Sequence, residues 1–316
     1  MKIIFMGTAE FGLPSLERLL ESSHTVQAVV TGPDRRKGRG LKVVHSPVKA
    51  FAEEKHIPIL QPERLHNAEF VSTLKEYHPD LFVVVAFRIL PREVFEIPVQ
   101  GTINLHASLL PKYRGAAPIQ WALIRGEKRT GVTTFFIDER IDTGNLILQK
   151  EMGIDENETA GQLHDKLALL GAEVLMETVE LIGLGRAVRK PQDDGQATTA
   201  PKLKKEEGRI DWSKKAIDIK NHVRGMNPFP GAFTEWKGRI VKVHRTQLAT
   251  ESMERGVPGE VVRIDSRAGL IVSTGEGALS LAELQPEGKR RMSGLEFVRG
   301  YRVKEGDVFG SNRSLT

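Results

Sequence analysis

Apolar runs of a few residues, separated by stretches whose apolar positions recur every three or four, fill roughly the first 150 residues, the alternation of a parallel sheet wrapped by helices. Strands are expected at 3–6, 26–31, 81–86, 101–105 and 132–137. The run Leu81-Phe-Val-Val-Val-Ala86 does not alternate, as befits a strand covered on both faces. Pro14 suits the first turn of a helix ahead of Leu16, Leu19 and Leu20, and 50–54 and 70–76 read as further helices. The clearest helix runs over 159–182, where Leu163, Leu167, Leu170, Val174 and Leu181 keep helical spacing. After Gly183 the periodicity stops in a stretch of Pro, Gly and polar residues, which predicts a linker over 185–206. A short helix is expected at 216–224, followed by brief strands at 240–244, 259–264, 270–273 and 279–284, a spacing that suits a small β-barrel of the OB type. The expected organisation is an α/β domain at 1–184, the linker, and a β-rich domain at 207–316.

A length of 316 residues agrees with two domains, because single cores seldom grow so large. The chain has no cysteine, which excludes a disulfide framework, a Cys-ligated zinc, an iron–sulfur cluster and a thiol nucleophile. No apolar run approaches the roughly 20 residues of a membrane span, and the N-terminal apolar stretch is too short for a signal peptide, so a cytoplasmic protein without membrane contact is expected. Residues 207–316 hold 19 Lys and Arg against 14 Asp and Glu, whereas 1–206 hold 27 of each, so the formal charge of +5 resides in the C-terminal third. That excess suits a polyanionic partner or a solubilising surface equally.

Three stretches carry candidate chemistry. Gly7-Thr-Ala-Glu-Phe-Gly12 stands where a dinucleotide fold would have Gly-x-Gly-x-x-Gly, but Ala9 replaces the middle glycine and no Lys-Ser or Lys-Thr follows Gly12. A structural turn is the better reading. Asn104 and His106 share one face at the end of an expected strand, running into Ser108-Leu-Leu-Pro111, Tyr113, Arg114 and Gly115, and open α/β sheets place ligands at such carboxyl ends. Downstream, Asp138, Glu139 and Asp142 compete for the role of a carboxylate that would orient the imidazole and favour its charged form. No spacing of His and carboxylate side chains suggests a metal, and none is expected.

The stretch Gly101-Thr-Ile-Asn-Leu-His-Ala-Ser-Leu-Leu-Pro-Lys-Tyr-Arg-Gly-Ala-Ala-Pro-Ile-Gln120, with Asp142-Thr-Gly144 after it, resembles the signature of formyltransferases that use 10-formyltetrahydrofolate. Thr31-Gly-Pro-Asp-Arg35, Ser46-Pro-Val-Lys49, Arg209-Ile-Asp-Trp212, Asn227-Pro-Phe-Pro230 and Gln285-Pro-Glu-Gly-Lys289 extend the likeness over nearly the whole chain, toward members whose acceptor is methionyl initiator tRNA. The segment Ala86-Phe-Arg-Ile-Leu-Pro91 departs from the family, whose members commonly carry a longer stretch with a glycine there. The resemblance implies a Rossmann-like N-terminal domain with a parallel-rich sheet and an OB-like C-terminal domain that grips tRNA. It implies that Asn104, His106 and Asp142 are catalytic and that Ser108, Leu109, Leu110 and Pro111 line the folate site. Two basic segments are the candidate tRNA contacts: Arg35, Arg36, Lys37, Arg39 and Lys42 on a loop after the second strand, and Lys202, Lys204 and Lys205 in the linker. A single site and a single RNA surface suffice, so a monomer is expected. Other readings remain at this point: a formyltransferase for a small amine, a formyl-folate hydrolase, and an RNA-binding protein without catalysis.

Overall fold

The structure is a computed structural model that describes every residue except 38–41, 250–255, 266–268 and 311–316, and only the backbone of 35–37, 42 and 43. Strands β1 (Lys2–Gly7), β2 (Thr25–Val30), β3 (Arg35–Lys37), β4 (Lys42–Val44), β5 (Ile59–Leu60), β6 (Leu81–Val85), β7 (Thr102–His106), β8 (Arg129–Phe136) and β9 (Leu146–Gly153) precede the long helix. The helices among them are α1 (Leu13–Leu20), α2 (Pro47–Glu54), α3 (Ala68–Glu76), α4 (Arg92–Phe95) and α5 (Pro118–Ile124); α6 (Ala160–Gly183) follows. The chain divides into two compact units: one of residues 1–118, 129–153 and 164–201, the other of 119–128, 154–163 and 202–316.

The first unit is built on one sheet in the order β5-β2-β1-β6-β7-β8-β9. The strands from β5 to β7 run parallel, while β8 is antiparallel to both β7 and β9. This is the expected Rossmann-like, parallel-rich architecture. All five residues of β6 are buried, and Ile3 to Met6 of β1 are fully enclosed, because helices cover both faces. One covering layer joins Ile4, Met6, Phe82 and Val84 from the sheet to Phe70, Leu74 and Val94. Local signals set the helix starts: the Ser46 hydroxyl accepts from the Lys49 N–H at 3.0 Å ahead of Pro47, and the Asn67 amide oxygen accepts from the Glu69 N–H at 2.8 Å.

Two expectations change. The segment read as a basic loop forms the antiparallel pair β3–β4, with Arg35 opposite Val44 and Lys37 opposite Lys42; Arg39 lies outside the described residues. Residues 185–201, read as part of a linker, group with the first unit, where Lys190 and Leu146 exchange two backbone hydrogen bonds at 2.8 and 2.9 Å. Periodicity could not reveal this, because the stretch is held by isolated backbone contacts and a few polar side chains without an apolar face.

The second unit carries α7 (Ala216–Met226), β10 (Ala232–Trp236), β11 (Arg239–Leu248), β12 (Val261–Asp265), β13 (Gly269–Ser273), β14 (Ala278–Pro286), β15 (Met292–Ser293) and α8 (Gly294–Tyr301). Its antiparallel sheet runs β10-β11-β14-β13-β12, with β15 on β14, which is the OB-like β-rich body the spacing predicts. Trp236, Phe297 and Phe309 pack together, with ring centroids 4.6 to 6.2 Å apart, to form its aromatic centre. Among the described residues no helix is long and apolar enough to cross a membrane.

Two imidazoles give this unit a pH signature. Burial, reinforced by Lys214, pushes the His222 ring below its ordinary 6.5 against the opposing pull of the Gly208 backbone and Glu207. Burial does the same to His244, opposed by its hydrogen bond with Gln285. A depressed histidine is neutral in both states above about pH 6.5 and costs nothing there. As pH falls below that value the unfolded chain takes up a proton that the folded one refuses, and stability is lost. Each ring contributes at most about 1.4 kcal/mol per pH unit. Urea unfolding at pH 7.5 and 5.5 should show this loss, and His222→Gln should reduce it.

Candidate functional site

β7 delivers Asn104 and His106 to the carboxyl end of the sheet, and its pairing with β8 sets Asn104 against Phe135 and His106 against Thr133. Being two residues apart on a strand, the two side chains share a face. His106 is buried at 6% exposure, whereas Asn104 is half-buried and its amide has no hydrogen-bond partner among the described residues. The amide is therefore available to a ligand.

The His106 ring is oriented from both sides. Its Nε2 lies 2.9 Å from the Tyr113 carbonyl oxygen, and its Nδ1 lies 3.7 Å from Asp142 Oδ2. A carbonyl oxygen only accepts, so Nε2 carries a hydrogen and donates it there. Nδ1 is the nitrogen left for chemistry. The 3.7 Å gap is too long for a hydrogen bond, yet a polar atom can sit within bonding distance of both Nδ1 and the carboxylate.

The Tyr113 carbonyl reaches its place because the loop after β7 is strapped down. The Ser108 hydroxyl donates to the Lys112 carbonyl at 2.6 Å, and the Leu110 N–H donates to Thr133 Oγ1 at 3.1 Å. Segment 198–200 then runs along the loop: the Arg114 N–H donates to the Thr198 carbonyl, and the Ala200 N–H to the Arg114 carbonyl at 2.7 Å. Of the four residues expected to line a folate site, Ser108 and Leu110 are buried in this scaffold and Leu109 and Pro111 are half-exposed. The first two shape the loop; the last two present surface.

The competition among three acids is resolved by geometry. Asp138 Oδ1 accepts from the Arg140 N–H and the Thr143 hydroxyl and so shapes its own loop, while exposed Glu139 pairs with Arg92. Asp142, nearly buried and with φ of +55°, faces His106, and its Oδ2 accepts from the Gly115 N–H at 2.8 Å. Gly144 completes the turn because a methyl there would collide with the Phe136 carbonyl oxygen. We expect Gly144→Ala to displace Asp142, to lower stability by about 1–3 kcal/mol and to abolish most turnover, whereas Gly153→Ala, with nothing within 4 Å of the added methyl, changes neither. A thermal melt with a turnover assay on both variants checks this.

The remaining sequence candidates fall on two other stretches of the chain. Lys202, Lys204 and Lys205 are exposed on the second unit, and β3–β4 carries Arg35, Arg36, Lys37 and Lys42 on the first. Sequence reasoning missed the Tyr113 carbonyl, the Gly115 N–H and the Thr198 carbonyl, all backbone groups without a residue-type signal. Among the described residues no group of three His, Asp or Glu side chains could hold a metal ion.

This arrangement, one amide, one imidazole with a single reactive nitrogen and one carboxylate at a strand end, is paired with sequence matches along the chain. The family profile described as "Formyl transferase" matches residues 1–179, and "Formyl transferase, C-terminal domain" matches 202–302. The chain belongs to the formyl transferase family. It is 50% identical over 311 residues to the methionyl-tRNA formyltransferase of Acetivibrio thermocellus, covering 98% of this chain and 100% of that one. It is 46% identical over 316 residues to the methionyl-tRNA formyltransferase of Geobacter sulfurreducens, covering 100% and 98%. In fold it is similar to an N-formyltransferase from Helicobacter canadensis solved with folinic acid and dTDP-3-aminofucose, with a TM-score of 0.65 at 20% identity over 92% of this chain and 100% of that one. The formyl transferase signature read at 101–120 spans all of β7 and the strapped loop that orients His106.

Proposed function

We propose that Asn104, His106 and Asp142 carry out formyl transfer from 10-formyltetrahydrofolate to the α-amine of methionyl initiator tRNA, in the cytoplasm and as a monomer. This is the reaction of the methionyl-tRNA formyltransferases to which the chain is nearly half identical end to end. The observation that carries the residue roles is the geometry at His106: one ring nitrogen tied to a backbone carbonyl, the other turned toward a carboxylate just out of bonding range.

The amine nitrogen attacks the formyl carbon, and the carbonyl electrons move onto oxygen to give a tetrahedral oxyanion. The Asn104 amide donates to that oxygen, as does Nδ1–H of His106 in its imidazolium form, while Nε2–H stays on Tyr113. Asp142 accepts the proton that the attacking nitrogen sheds. The C–N10 bond then breaks, its electron pair goes to N10, and Asp142 returns the proton there as the carbonyl re-forms. Protons and charge balance without a further reactant. Leu109 and Pro111 offer the half-exposed side chains of the folate loop, with Ser108 and Leu110 buried in it.

Labour is divided between the units. The first holds the reacting groups, and Lys202, Lys204 and Lys205 of the second meet tRNA phosphates, joined by Arg35, Arg36, Lys37, Arg39 and Lys42 of the first. The decisive experiment incubates the protein with 10-formyltetrahydrofolate, with and without methionyl initiator tRNA. Formyl-methionyl-tRNA should form only when both are present. Tetrahydrofolate released without tRNA would favour a hydrolase, and no turnover with tRNA but transfer to a small amine would favour that alternative.

A further inference from the structure

Asp142 occupies a backbone conformation that ordinary residues avoid. A non-glycine residue at φ of +55° lies in the sparsely populated left-handed region, and such conformations persist where the surroundings over-determine them. Two of the contacts that hold this turn come from one side chain in the stretch after α6. Gln192 Nε2 donates to the Asp142 carbonyl and to the Gly144 carbonyl, each at 2.9 Å. Its Oε1 accepts from Arg114, from Nε at 3.1 Å and from Nη2 at 2.7 Å. The opposite amide orientation would set an oxygen against two carbonyls, so these partners fix which end is nitrogen.

We propose that Gln192 is a positioning residue for formyl transfer, acting through the Asp142 carboxylate. The proposal rests on the reading of Asp142 as the proton acceptor. By catching the carbonyls of residues 142 and 144 with one amide, Gln192 pins the 142–143 and 144–145 peptide planes at the two ends of the turn, the first of which leaves Asp142 itself and so sets the direction of its side chain. The carboxylate end is held separately, by the Gly115 N–H at 2.8 Å. The two holds are tied together, because Arg114, which grips Gln192, is the residue before Gly115. Arg114 is itself anchored by Asp194 at 2.7 Å, and Gln192 arrives in register because Lys190 pairs with Leu146 two residues earlier. A chain of direct contacts thus runs from Asp194 through Arg114 and Gln192 to the backbone of Asp142.

The test is a double-mutant cycle on the full chain. Gln192→Glu is nearly isosteric and keeps an acceptor for Arg114 but sets oxygen against both carbonyls; Gln192→Met removes the polar group without burying a charge and serves where the glutamate variant fails to fold. Either folded variant should lower kcat at least about tenfold, on the scale of a misplaced catalytic group, with KM for both substrates within about twofold. Introduced into Asp142→Ala, the same change should lower kcat less than about twofold further, because the group it positions is gone. Equal losses in both backgrounds, or an unchanged kcat in folded Gln192→Met beside an inactive Asp142→Ala, would overturn the proposal. Full turnover in Asp142→Ala alone would overturn the reading of the site and the proposal with it, and is distinguished by that single variant.

Discussion

His106→Ala and Asp142→Asn should each lower turnover by at least about two orders of magnitude while leaving the folded state intact. In the proposed mechanism His106 brings one donor to the oxyanion through Nδ1, and its removal also frees the Tyr113 carbonyl. Losing one such donor typically costs about 10²–10³ in rate. Asp142→Asn keeps the shape of the side chain and an oxygen for the Gly115 N–H, so the turn survives, but an amide cannot take the proton from the attacking amine. The effect therefore belongs in kcat, with KM for folate and tRNA nearly unchanged. Single-turnover formylation, with circular dichroism to confirm folding, decides it. Near-wild-type turnover in either variant would place the chemistry elsewhere.

Replacing Lys202, Lys204 and Lys205 together by alanine should weaken tRNA binding by about tenfold or more at physiological salt and raise KM, with kcat at saturating tRNA preserved. All three are exposed, and none makes an ion pair with a described residue, so their ammonium groups are available to phosphates. Every phosphate that the variant no longer neutralises should lower the slope of log affinity against log salt by about 0.7–0.9, hence by roughly two to three for the triple variant. The substitution of Arg36, Lys37, Arg39 and Lys42 differs in kind: a segment that places the acceptor end during transfer should cost turnover as well as affinity. Binding and single-turnover rates across a salt series separate the two. An unchanged slope in the lysine triple variant would remove the second unit from the RNA surface.

The chain alone determined what depends on local chemistry and periodicity. β1, β2, β6, β7 and β8 fall within a few residues of the expected strands, and α6 runs over 160–183 where apolar spacing put it at 159–182. Side-chain type at a strand end was enough to single out Asn104 and His106, because position on a pleat follows from sequence parity. β9 went unread because only one of its eight residues is buried and its apolar residues 146–148 are followed by the polar run 149–151, without the alternation of a half-buried strand. The choice among Asp138, Glu139 and Asp142 required the fold, since three acids in five residues are equivalent until one of them faces an imidazole. The tautomer of His106 also required it, being set by the carbonyl of a residue seven positions away. Gln192 was invisible for the same reason. Its role is exercised through backbone carbonyls fifty residues upstream, and hydrogen bonds to backbone leave no imprint on periodicity or composition. Tertiary structure therefore decided how the site is oriented, because orientation is carried by main-chain groups that every residue possesses.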